Sequence, residues 1–313
     1  GGCMVAGLLA GCGGDEGTSS EGGDAATSEE GSGGGDYTFE VVVKSFQSTY
    51  WQAAIQGIDA AKEELGVKVN TTGPNAESDI ADQVNMLNNA ISQQPDGIAL
   101  AANDQNAVLD SLQDALDADI PVVCFDTGVP DAPEGSVIAT IATDNEAAGA
   151  VAAENMYPVI KDAIANADGQ VRIGEVNQDA TSANISGRGM GFINKMKELI
   201  EADGKTVAVI GNQFYVDQVE NNGDEGSADV IIEVAVPAQT TVELSATEAS
   251  NIMNKDDTIA IFGSNQVTAE GVLTANQNLN VLAATPDEGI VGVGFDAGAT
   301  LKAAVADGTL IGA

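Results

Sequence analysis

Histidine is absent from this 313-residue chain, which removes every mechanism built on an imidazole base and every His-ligated metal centre. Basic residues are scarce too. Eleven Lys plus Arg face 48 Asp plus Glu, for a formal charge of −37. Nucleic-acid binding needs clustered Lys and Arg to neutralise phosphates, so this composition argues against it. Seven acidic residues and no basic one fall in the first 36 positions, leaving −30 on the remainder. The acidity therefore belongs to the folded body. No apolar run approaches the roughly 20 residues of a membrane span. Aromatics make up only 4%, with Trp51 the single tryptophan. What is present, 43% hydrophobic residues, suffices for a large core and for about two domains of ordinary size.

Cysteine is sparse, and its placement is informative. Met4 to Ala10 are small and apolar, and Leu9-Ala10-Gly11-Cys12 is followed at once by a stretch of Gly, Ser, Thr, Ala, Asp and Glu. Residues 1–12 read as the end of a secretion signal. Leu-Ala-Gly-Cys resembles the bacterial lipobox, which implies lipidation at Cys12, a membrane attachment through that anchor only, and a signal that is truncated here. Residues 13–36 contain nine glycines and no large apolar side chain before Tyr37, a composition expected of a flexible acidic tether. With Cys3 removed and Cys12 acylated, only Cys124 remains, so no internal disulfide is expected. Its setting, Val122-Val123-Cys124-Phe125, suits a small buried hydrophobe.

From Tyr37 onward, short β-branched runs alternate with helical patterns. Strands are predicted at 39–44, 67–71, 96–100, 121–125, 137–142, 171–176, 206–210, 230–236, 258–262 and 290–295. Between them Trp51, Ile55, Ile58 and Leu65 share one helical face, as do Ile80, Val84, Leu87 and Ile91, and then Val108, Leu112 and Leu116. Strand followed by helix, repeated, predicts an α/β fold of parallel sheets covered on both faces. Two similar lobes are expected, 37–142 and 143–313, because five βα steps finish near Ala142. Ligands of such sheets bind outside the carboxyl ends of the strands.

Those ends carry polar residues. Lys44 closes the first strand, and Ser45-Phe46-Gln47-Ser48-Thr49 leads to Tyr50-Trp51 at a helix start. These aromatics suit stacking on a sugar ring, and Trp51 equally suits packing under its own helix. Phe125-Asp126-Thr127, Ser264-Asn265 and Phe295-Asp296 end later strands. An Asp in such a place is a ligand contact or a cap and turn former.

Taken in order, Tyr50-Trp51, Phe125-Asp126, Ala142-Thr143-Asp144-Asn145, Thr181-Ser182-Ala183 with Arg188-Gly189, Ser264-Asn265 and Val293-Gly294-Phe295-Asp296 resemble the type I periplasmic sugar-binding proteins. The closer likeness is to the ribose and galactose branch of ABC-transporter solute receptors, over residues 38–313. The resemblance implies two Rossmann-like lobes and a monomer that hands a monosaccharide or similar polyol to an ABC permease. It implies stacking by Tyr50 and Trp51, hydroxyl contacts near Ser45 and Ser48, sugar partners at Asp126, Asn265 and Asp296, and a hinge at Asp144 and Asn145. Thr127 and Ser186 stand where ribose binders carry Arg, which changes what is recognised, while Arg188 matches a more structural Arg. Residues 203–229, with Phe214 and Tyr215, read as an inserted surface elaboration. The family continues past a strand at 309–311, so a return segment to the first lobe is expected beyond Ala313.

Other motifs lead nowhere. Gly204-Lys205-Thr206 lacks the earlier Gly of a phosphate loop, since Leu199 stands there, and Gly292-Val293-Gly294-Phe295-Asp296-Ala297 would set a carboxylate against a pyrophosphate. No calcium loop is present, and no metal or other cofactor is expected. Asp126 with Asp296 as a glycosidase pair is the sole enzymatic reading, and a non-enzyme is favoured. The rivals are a lipid-anchored sensor for a chemoreceptor or kinase, and a sugar-responsive repressor, which would need a basic N-terminal DNA-binding domain.

Overall fold

The computed structural model describes residues 36–313. Cys3, Cys12 and the tether up to residue 35 lie outside them. The first sheet is formed by β1 (Thr38–Val42), β2 (Lys68–Thr72), β3 (Gly97–Leu100), β4 (Val122–Phe125) and β5 (Val137–Ile141) in the order β2-β1-β3-β4-β5, all parallel. Helices α1 (Thr49–Leu65), α2 (Ile80–Ser92) and α3 (Leu109–Asp117) connect them. One face packs Val42, Ile98, Leu100, Val122 and Cys124 against Leu87 of α2 and Leu112 of α3. The opposite face sets Val41, Val43 and Ala101 against Trp51 of α1.

Covering is less complete than the alternation predicts. Leu65 is 61% exposed, and on β5 Ile138 and Ile141 are 64% and 66% exposed, because α1 does not extend over that edge. Leu65 is also the last residue of its helix, directly before Gly66, whose left-handed backbone (φ 65°) ends the turn.

The chain leaves the first sheet at Ile141 and enters α4 (Asn145–Asn166). The second sheet has the order β10-β11-β9-β6-β8-β7, again parallel. Its strands are β6 (Val171–Val176), β7 (Val207–Gly211), β8 (Val230–Ala235), β9 (Thr258–Gly263), β10 (Leu282–Ala283) and β11 (Ile290–Val293). Helix α4 and α5 (Ala183–Ala202) cover one face, where Met156, Ile160, Phe192 and Met196 meet Ile173, Val209 and Phe262. Helices α7 (Val242–Met253) and α8 (Gln266–Leu279) cover the other around Ile252, Ile261 and Val272. A short α6 (Gln213–Val216) follows β7, and α9 (Ala299–Asp307) packs on α8 through Leu301 and Ala304. The fold is thus the two-lobed α/β arrangement of parallel sheets.

Two details correct the sequence reading. Residues 203–229 are a surface elaboration only in part: 220–227 are exposed, but the predicted strand β7 runs through the stretch, and Tyr215 is fully buried in the second core with its hydroxyl donating to the Asp179 carbonyl at 2.7 Å. Near the C-terminus no strand forms at 309–311. Pairing begins at Gly312, opposite Val293 of β11.

Candidate functional site

Parallel strands point all their carboxyl ends the same way, so the two lobes present strand-end residues to a common cleft. From the first lobe come Lys44 after β1, Ser48, Tyr50 and Trp51 at the start of α1, Glu77 after β2 and Asp126 after β4. The second contributes Gln178 after β6, Asn184 and Arg188 on α5, Asn265 and Gln266 after β9, and Asp296 after β11. They close around a cavity of about 30 Å³, room for about one water molecule.

The two strand-end aspartates are set by unusual backbone. Asp126 (φ 65°) and Asp296 (φ 74°) both adopt the left-handed region, which Asp tolerates better than most residues and which is frequent where a side chain is held for use. Asp126 accepts from the Tyr50 hydroxyl at 2.7 Å and from Asn184 Nδ2 at 3.1 Å. The same Asn184 accepts from Lys44 Nζ at 2.9 Å through its Oδ1, so one amide of α5 ties two residues of the first lobe. Lys44 is 1% exposed and lies 3.9 Å from both Asp126 and Glu77. Asp296 accepts from the Gln266 amide at 2.9 Å, and burial, opposed by Arg188, raises its pKa. Burial likewise pushes the Tyr50 phenol up, with Asp126 adding to it.

Arg188 anchors the second lobe's side. One guanidinium nitrogen donates to the Ser264 carbonyl at 2.8 Å, another to Asn145 Oδ1 at 2.7 Å, and its plane lies 3.7 Å over the Phe295 ring. Burial lowers its pKa against the pull of Asp296 and Asp126, yet a guanidinium stays charged. Glu77 accepts from Trp51 Nε1 at 3.0 Å and from Gln178 Nε2 at 2.7 Å, and burial raises it to about 7 despite Lys44.

Of the residues singled out from sequence, Ser48, Tyr50, Trp51, Asp126, Asn265 and Asp296 line the cavity. Trp51 combines both of its readings: it is 2% exposed, edge-on to Tyr50 and Phe125 in the core, and still forms wall. Three hydroxyls do not line it. Ser45 Oγ donates to the Asn75 carbonyl and accepts from the Gln47 amide, holding the loop. Thr127 is buried and its Oγ1 accepts from the Asn184 amide. Ser186 points back into its own helix, donating to the Ser182 carbonyl at 2.8 Å. Asp144 caps α4 by accepting from the Ala147 amide, and Asn145 is the Arg188 partner.

Sequence reasoning noted Lys44 at a strand end without giving it a role and passed over Glu77, Gln178, Asn184 and Gln266; Arg188, read as structural, does tie Ser264 to Asn145 and lines the cavity as well. The rule that located Asp126 would have found Glu77 and Gln178 had it been applied after β2 and β6 as it was after β1. Among the described residues no group of three or more His, Cys, Asp or Glu side chains is arranged to hold a metal. Cys124 is buried in β4, and burial pushes its thiol up to about 11.

Two parallel-sheet lobes closing strand ends over a polar cavity with an aromatic wall define a two-lobed receptor for a small ligand. The chain belongs to the family described as periplasmic binding protein domain, which it matches over residues 39–313. It is 24% identical over 248 residues to the ABC transporter periplasmic-binding protein YphF of Escherichia coli (strain K12), covering 76% of this chain and 71% of that one. A solved ABC-transporter solute-binding protein from Agrobacterium vitis with bound D-fucose is similar at 29% identity and a TM-score of 0.68, over 87% of this chain and 81% of that one. A Brachyspira murdochii protein described as an ABC transporter, LacI family transcriptional regulator is similar at 30% identity and a TM-score of 0.66, with the same coverage.

Proposed function

We propose that this protein captures a neutral monosaccharide or similar polyol between its lobes and delivers it to an ABC permease outside the cytoplasm, held to the membrane by a lipid on Cys12. The observation that carries the reading is the cavity wall itself. Asp126, Asp296 and Glu77 accept hydrogen bonds, Lys44 donates them, and Tyr50 and Trp51 supply an apolar face. Such a mixture suits vicinal hydroxyls on one side of a sugar ring and C–H groups on the other. Asp126 and Asp296 facing Lys44 and Arg188, with Glu77 adding a third negative charge once it ionises, leave no spare cation for an acidic sugar. The D-fucose in the Agrobacterium vitis relative points the same way. Opening and closing would pivot at Ala142 to Asn145, where the chain passes between sheets.

Calorimetry against a panel of pentoses, hexoses and inositols tests the reading. One member should bind, and Asp126→Ala and Asp296→Ala should each weaken it at least tenfold, since each leaves sugar hydroxyls unpartnered at about 1–3 kcal/mol. Asp224→Ala, on the exposed turn before β8, should leave affinity unchanged. Full affinity in both aspartate variants would remove the cavity from consideration.

A further inference from the structure

Glu77 lies on the loop after β2 and receives donors from opposite sides of the cleft, Trp51 Nε1 of the first lobe and Gln178 Nε2 of the second. The direction of this chain of bonds is set from its far end. Asn265 caps α8 in a reciprocal box: its Oδ1 accepts from the Thr268 amide and hydroxyl, and its own amide donates to Thr268 Oγ1. Its Nδ2 must then face Gln178 Oε1, at 2.7 Å. That turns Gln178 Nε2 toward Glu77, and an indole N–H can only donate. The network therefore asks Glu77 to accept twice, which favours the carboxylate.

Burial asks for the opposite. Lys44, 3.9 Å away, is the cation in reach. Asp126 after β4 and Asp179 after β6 both oppose ionisation. Asp79 stands on the same loop and accepts from the Ala76 amide. Glu243 of α7 and Glu270 of α8 line the adjoining groove, and Tyr50, Arg188 and Asp296 stand around the cavity. Desolvation outweighs the single ammonium and the hydrogen bond from Gln178.

We propose that Glu77 couples closure of the cleft to pH: bringing the lobes together takes this carboxyl out of water between Trp51 and Gln178, and a proton is taken up there. The inference rests on the reading that the lobes close on a ligand. In an open cleft Glu77 is hydrated and titrates in the ordinary carboxylate range, near 4.5, whereas in the closed cleft it holds its proton up to about 7. Closure thus consumes a proton within that window and none above it, so the closed fraction falls as pH rises from 4.5 to about 7.

The test uses the protein without any sugar. Trp51 is the only tryptophan, and its indole donates directly to the titrating group. Its emission should show one transition in the wild type, with a midpoint between the open-cleft 4.5 and the closed-cleft value of about 7. Glu77→Gln should abolish that transition, and Glu243→Gln should keep it. Small-angle scattering at about pH 5.5 and about pH 8.5 should give a smaller radius of gyration in acid for the wild type and no difference for Glu77→Gln. Far-UV circular dichroism checks folding, and if Glu77→Gln does not fold, Glu77→Asp replaces it. The shorter carboxyl retracts from Gln178, so its midpoint must move. A flat emission curve, a transition that survives Glu77→Gln, or an unmoved midpoint in Glu77→Asp overturns the coupling. Because no sugar is added, these outcomes are independent of whether the ligand panel yields a binder.

Discussion

Glu175 occupies the middle of the second core on β6 with no exposed surface, and neither carboxyl oxygen has a hydrogen-bond partner. Asn177, two residues on, is equally buried and unpartnered, and a Cβ on Gly189 would stand 2.9 Å from Glu175 Oε1 and 2.5 Å from Asn177 Nδ2. Burial raises the Glu175 pKa well above its ordinary 4.5, so the folded protein carries the neutral acid. The stability it allows is fully present below 4.5 and is lost as pH rises through the folded-state value. Glu175→Gln mimics the neutral acid at every pH. In urea titrations it should match the wild type near about pH 4.5 and exceed it near about pH 8. Arg188→Lys makes the opposite kind of test. A single ammonium cannot fork between Ser264 and Asn145 while lying flat on Phe295. Loss of about 1–3 kcal/mol of stability is expected by urea denaturation, with weaker ligand binding by calorimetry.

At the scale of elements, α4 and α5 approach so closely that glycine is required at their crossing. A Cβ on Gly149 would lie 2.0 Å from the Arg188 carbonyl, and one on Gly191 would lie 2.1 Å from that of Glu146. Since α5 carries Asn184 and Arg188, Gly149→Ala should lower the melting temperature and also reduce affinity, by pushing that helix off its seat at about 1–3 kcal/mol or more. The edge strand β7 is closed differently. Asn222 accepts from the Val209 amide and donates to the Val209 carbonyl, at 2.8 and 2.9 Å, so one side chain stands in for a neighbouring strand. Asn222→Ala should cost about 1–3 kcal/mol and raise aggregation in light scattering, because it bares an edge. Nothing in the residue pattern announced this, as an Asn before Gly reads as a turn. The buried strands were legible to within two residues for the reason that parallel strands covered on both faces are continuous apolar runs. Two-residue β10 and four-residue α6 have no period to read. Similar logic divides the site: Asp126, Asn265 and Asp296 announced themselves at strand ends, while Ser45, Thr127 and Ser186 proved to be spent on backbone groups, a choice that a hydroxyl's identity does not encode.

For the whole molecule, the charge of −37 is a standing self-repulsion that counter-ions relieve. Melting temperature should therefore rise with sodium chloride, most steeply below about 0.15 M where the Debye length exceeds about 8 Å. A melting temperature independent of salt would mean that the acidic groups are already compensated locally. The cavity has a further consequence for time rather than energy. Cross-cleft bonds such as Glu77 to Gln178 and Asn184 to Lys44 leave room for about one water, so a solute cannot enter while they hold. Uptake must then wait on spontaneous parting of the lobes. In stopped flow the observed rate should climb with solute concentration and level off at the opening rate, which the solute itself cannot hurry. A receptor built this way meters its traffic by how often it gapes, and variants that weaken the cross-cleft bonds should load faster while holding their cargo less long.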